Sequence, residues 1–189
     1  MSPRMGLDLQ TILLAATNIV DEGGIEAITM ATLAKTLNVQ SPSLYNHING
    51  LQGLKKHLAQ YGLVKLYEGM KEAVNDKQGE EAILSIGRSY LEFVRTHPGL
   101  YEMTLKAPDA KDLEIEKVAN DMVHLMIDVL TPYHLEKEQT IHMVRGIRSL
   151  LHGFASLEQA GGFGFPLDLN ESFENMVRTY LIGMEHISK

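Results

Sequence analysis

Apolar residues recur every three or four positions through almost the whole chain, which is the period of helices with one buried face. No stretch alternates as a half-buried strand does, so the pattern predicts an all-α protein of about nine helices. The first helix is expected from about Asp8 to Asp21, with Asp8 as its cap and Gly23-Gly24 as its stop. A second opens at Thr29 and carries Met30, Leu33, Ala34 and Leu37, and a third opens near Ser41-Pro42. A long fourth helix runs from Leu51 to about residue 74. After an Asn75–Gly79 loop come Glu80 to Thr96 and a short helix over Leu100 to Leu105. A break at Pro108 precedes Asp112 to Leu130, and Glu136 to Glu158 follows. The Gly161–Pro166 loop then leads to a last helix, opened by a capping box between Asp168 and Glu171. The organisation expected is a three-helix domain over residues 1–50 and an antiparallel helical bundle over 51–189, joined by the fourth helix.

Residues 29 to 54 depart from this regularity in an informative way. Their second and third helices are short and separated only by Asn38-Val39-Gln40. Ala34 permits the close, steep crossing that two such helices need, and Asn38 suits a left-handed turn. Leu44 and Ile48, four apart, point the third helix inward, with Val39 plugging the turn. Ser41, Ser43, Asn46 and His47 are left outward, with Tyr45 beside them. A helix too polar to be core and attached in this way has the layout of a helix-turn-helix, whose usual partner is the major groove. Ser and Asn can bond base edges, while Tyr and His can bond phosphate oxygens.

Charge sharpens that picture. The chain carries 24 acidic and 17 basic residues, yet residues 1 to 60 hold four of each. No Asp or Glu lies between Ala27 and Tyr67, while Lys35, Lys55, Lys56 and Lys65 do. A polyanion has one place to approach, and it coincides with the helix-turn-helix. With 189 residues and no cysteine, the chain can bury a core without disulfide staples and has no thiolate chemistry. It lacks a signal-like apolar segment and any run of about 20 apolar residues, so a cytoplasmic protein with no membrane partner is expected.

The pentad Leu44-Tyr45-Asn46-His47-Ile48, with the layout of residues 8 to 60, resembles the DNA-binding domain of the TetR family of bacterial transcriptional regulators. The resemblance implies backbone contacts from Thr29, Tyr45 and His47 and sequence reading by Ser41, Pro42, Ser43 and Asn46. The family's usual lysine at the start of the fourth helix is Leu51 here, and its usual aromatic after the histidine is Ile48. Lys55 or Lys56, one turn later, is the candidate replacement for the missing cation. The C-terminal half is similar to a subgroup with a Trp-His-Gly signature, which reads Leu151-His152-Gly153 in this chain.

The family likeness further implies a homodimer on double-stranded DNA, formed by the last two long helices. Ile147, Leu151, Phe173, Val177, Tyr180, Leu181 and Met184 are the expected contacts. It also implies a small-molecule effector that releases a repressor from a palindromic operator. Phe93, Tyr101, Met122, Met126, His152 and Phe154 are the expected lining of its pocket, although methionines and aromatics at this spacing also build ordinary cores. His134, Glu138 and His142 stand four apart with Asp128 upstream, but His134 follows Pro132 ahead of the helix, so neither metal nor cofactor is expected. No HExxH, GxSxG or phosphate-binding glycine loop occurs, and an enzyme is not expected. Two other readings fit the same residues: a ligand-binding bundle without DNA recognition, and a regulator governed by a protein partner.

Overall fold

Asp8 opens the first helix as its side chain accepts the Thr11 N–H at 2.7 Å, and helices follow one another from there to the C-terminal end. The computed structural model describes residues 7–105 and 112–187, and the break expected at Pro108 lies outside them. Among the described residues there are nine α-helices and no strand. They are α1 (Leu9–Gly23), α2 (Met30–Thr36), α3 (Ser41–Leu44), α4 (Gly50–Val74) and α5 (Gly79–Thr96). α6 (Pro98–Thr104), α7 (Leu113–Leu130), α8 (Lys137–Gln159) and α9 (Leu169–Ile187) complete the set, with a 3-10 turn at Thr131–Tyr133. None of these helices is long and apolar enough to cross a membrane.

The helices fall into two compact units. The first holds α1, α2, α3, α4 as far as Val64, and the stretch from Thr96 through α6 to Ile115. It therefore takes in more than the residues 1–50 that local pattern delimits, because α6 packs on α1. Gly99 makes this possible: a Cβ there would fall into the Val20 carbonyl and within 2.8 Å of the Asp21 nitrogen. Asp21 closes the joint, accepting the Leu100 N–H at 2.9 Å and meeting His97 Nδ1 at 2.7 Å. Gly62 on α4 faces Thr104 and Leu100 in the same close manner. Ile12, Ala16, Val20, Leu33, Leu44, Leu54, Leu58 and Leu100 form the core of this unit.

Thr17 sits in that core at 3% exposure, and among the described residues its hydroxyl has no hydrogen-bond partner. Burying an unpaired hydroxyl costs free energy, and valine has the same shape without it. Thr17→Val is expected to raise stability by about 1 kcal/mol, read as a rise of roughly 2–4 °C in Tm. An unchanged or lower midpoint would mean that the hydroxyl is satisfied.

The second unit holds Lys65–Arg95 and the chain from Glu116 onward. α5 supplies much of its core through Ile83, Ile86, Tyr90, Leu91 and Val94. Phe154 meets Phe163 in a tilted and Phe173 in an edge-on arrangement, at centroid separations of 4.8 and 5.3 Å. Arg88 is paired with Glu174 and Arg95 with Glu158, which ties α5 to α9 and α8.

Six of the seven residues expected as dimer contacts on α8 and α9 are buried in the single chain. Ile147, Leu151, Phe173, Val177, Leu181 and Met184 are at most 3% exposed within a single chain. They are the stripes by which these helices enter their own core, and they have no surface left to offer a partner. Tyr180 is half-buried, its hydroxyl donating to the Met143 carbonyl at 3.4 Å, and burial pushes its pKa up. Helical period finds a stripe that must be covered, but it cannot say what covers it.

Candidate nucleic-acid interface

Thr29 caps α2 in a reciprocal arrangement with Thr32: its hydroxyl accepts the Thr32 N–H at 3.0 Å, and its own N–H donates to Thr32 Oγ1 at 2.8 Å. The Thr29 side chain is exposed, and its hydroxyl also lies 3.0 Å from that of Thr32. α2 ends in a Schellman turn, with the Val39 N–H on the Ala34 carbonyl and the Asn38 N–H on that of Lys35. Asn38 takes the left-handed conformation, with φ of 53°, that the turn requires. Leu33 and Ala34 are buried beneath, and Val39 is half-buried.

α3 is only four residues long, and its N-cap is Gln40 rather than Ser41. Ser41 is instead the first helical residue, with Pro42 in the same turn. Leu44 and Ile48 are 0% and 2% exposed and anchor the element from both sides. Pro42, Tyr45, Asn46 and His47 are exposed, and Ser41 and Ser43 are half-buried. Tyr45 closes α3 as its C-cap, and Asn46 and His47 lie in the turn beyond it. Leu44 and Ile48 are thus inward and Asn46 and His47 outward as spacing predicts, while Ser41 and Ser43 are only partly outward. Gln40, the N-cap, is a residue that the spacing does not single out.

Lys55 and Lys56 part company. Lys56 reaches Asp112 at 2.9 Å, and Asp112 is 6% exposed. One turn on, Gln60 donates to Glu114 at 2.7 Å. The Lys56 ammonium holds the Asp112 carboxyl below its ordinary value, while burial acts in the opposite direction. Any stability from this pair is present above the unfolded carboxyl value of 3.8 and is lost as pH falls through the lower folded value. Lys55 has no carboxylate within ion-pair distance among the described residues, which leaves it as the cation of this turn. Asp8, the N-cap of α1, is coupled to this surface through His47. Hydrogen bonds from Thr11 hold its carboxyl low, and His47 contributes less in the same direction.

The expected effector residues are divided between the two units. Tyr101 belongs to the first unit, at 2% exposure, while the others belong to the second. Met126 and Phe154 are buried, and Phe93, Met122 and His152 are half-buried. His152 Nδ1 lies 3.4 Å from the Ser156 hydroxyl. A groove of about 650 Å³ runs over the polar stripe of α5, between Lys77 and Asn170, and none of the six lines it. His134 stands in a left-handed turn before α8, so it does not share a helical face with Glu138 and His142. Among the described residues no group of three or more metal-binding side chains forms.

Residues 83–180 match the family described as Tetracyclin repressor-like, C-terminal domain. The chain is 41% identical over 185 residues to an uncharacterized HTH-type transcriptional regulator, YobS, of Bacillus subtilis (strain 168), covering 97% of this chain and 96% of that one. It is 27% identical over 180 residues to a second such regulator, Rv0681 of Mycobacterium tuberculosis, covering 95% and 82%. In fold it is similar to a Rhodococcus protein at a TM-score of 0.82, with 20% identity and coverage of 97% and 98%. The transcriptional regulator SCO7222, a TetR from Streptomyces coelicolor, follows at 0.78, with 14% identity and coverage of 97% and 100%. A TetR variant from Acinetobacter baumannii AYE in complex with minocycline gives 0.74, with 17% identity and coverage of 97% and 99%.

Proposed function

Because the chain belongs to the TetR family of helix-turn-helix transcriptional regulators, we propose that it is a repressor that a small-molecule effector releases from DNA. The observation that carries the DNA half of this reading is one surface: exposed Tyr45, Asn46 and His47 on the buried anchors Leu44 and Ile48. It lies within a stretch that has no acidic residue from Ala27 to Tyr67. Thr29, Tyr45 and His47 hold phosphates, Lys55 adds charge, and the start of α3 reads bases. One such element reads too few bases to select a site, so the functional form is a homodimer on a palindrome. Its two readers stand about 34 Å apart, one turn of DNA.

The dimer face in this proposal is the outward side of α8 and α9, not the stripes their period picks out. These helices expose Leu157 at 53% and Ile182 at 58%. A Cβ on Gly153 or Gly183 would meet nothing within 4 Å, so another backbone can approach closely there. The effector acts by binding better to a state with a different reader spacing, since a ligand with equal affinity for both states shifts nothing.

A gel-shift titration against the DNA upstream of the chain's own gene, at low salt, tests the reading. Specific retention is expected, and its absence would remove the DNA-binding role. The same titration over a range of salt concentrations checks Lys55. Lys55→Ala is expected to lower the slope of log K against log salt by about one unit for each phosphate that the lysine neutralises. An unchanged slope would take Lys55 off the backbone.

A further inference from the structure

We propose that Gln40 is the principal base-reading side chain of this protein and that it selects an adenine in each half-site. The assignment rests on the DNA-binding reading above and refines it. α3 has only four residues, so little beyond its first turn can enter a groove, and that end is where a recognition helix meets base edges. Four side chains stand there. Pro42 is exposed but carries no hydrogen-bonding group. Ser41 and Ser43 are half-buried, each with a single hydroxyl on a one-carbon arm. Gln40 is exposed and carries its carboxamide two methylenes from the backbone.

The backbone leaves that carboxamide unused. Gln40 holds the N-cap position in an extended conformation, with φ of −79° and ψ of 138°. Ser, Thr, Asp or Asn at this position would turn a side-chain oxygen back onto the first N–H groups of the helix. Among the described residues Gln40 makes no such bond, and its main-chain carbonyl accepts the Ser43 N–H at 2.9 Å. A carboxamide sets a donor beside an acceptor. In the major groove adenine alone presents the matching acceptor and donor, N7 and N6, on one base. Asn46 has the same group, but it lies past the C-cap Tyr45 at the opposite end of α3.

The test is selection from a randomised duplex DNA pool, at one fixed salt concentration, by the full-length chain and by its Gln40→Ala and Gln40→Glu variants. Both substitutions are on the surface, so both variants should keep the parent unfolding midpoint. The parent is expected to enrich adenine at one position of each half-site. Gln40→Ala should lose discrimination at that position alone, by about tenfold or more. Its affinity for random DNA and its salt slope should not change. Gln40→Glu should replace adenine by cytosine, whose N4 amino group donates to a carboxylate. If the parent enriches a sequence and Gln40→Ala enriches the same one base for base, the assignment falls and the DNA-binding reading stands. If the parent enriches nothing, both fall together.

Discussion

Gly99→Ala is expected to destabilise the protein by about 3 kcal/mol or more, a fall of roughly 6–12 °C in Tm. The added methyl has nowhere to go, because its nearest neighbours are the backbone atoms of Val20 and Asp21 rather than a side chain that can rotate away. α6 must therefore lift off α1. Lifting it stretches the two bonds to the Asp21 carboxylate, from Leu100 N–H and His97 Nδ1. The substitution deletes no apolar group and no charge, so a large loss can come only from the close approach of the two backbones. A thermal melt of Gly99→Ala that overlays the parent would show that this approach is looser than the geometry requires. Because α1 also packs on α2, the same variant should bind DNA more weakly before it melts.

This joint was beyond the reach of sequence pattern, while much of the surface proposed to face DNA was not. The N-cap at Thr29, the left-handed Asn38 and the inward pair Leu44 and Ile48 each depend on residues within a few positions of one another, and local chemistry decides them. His97-Pro98-Gly99 is written just as plainly, but it reads only as a break. Its partner Asp21 lies 76 residues earlier, and nothing in either segment names the other. Lys56 is hidden for the same reason. It is a cation in an acid-free window, and the carboxylate that engages it arrives from Asp112. The apolar stripes of α8 and α9 are a third case. Their period states that they are covered, and their own core covers them, which leaves Leu157 and Ile182 on the outside.

Within the DNA-facing surface the largest effect is expected from the two side chains assigned to phosphates. A hydrogen bond to a charged acceptor contributes about 1.5–3 kcal/mol, and the proposed dimer would make each one twice. Tyr45→Phe or His47→Ala alone should therefore weaken operator binding about 100-fold or more, and the double variant further still. Both side chains are exposed, Tyr45 at 57%, so folding should be untouched and the loss should lie in binding. The loss should also be blind to sequence, because phosphates are the same at every step of the duplex. Neither side chain brings a full permanent charge, so the salt slope should barely move, unlike that of Lys55→Ala. Titrations of each variant against operator and random DNA, at several salt concentrations, separate these cases. Equal losses on both DNAs at constant slope place Tyr45 and His47 on the backbone. A loss confined to the operator would instead make them readers and would weaken the case that Gln40 is the principal one.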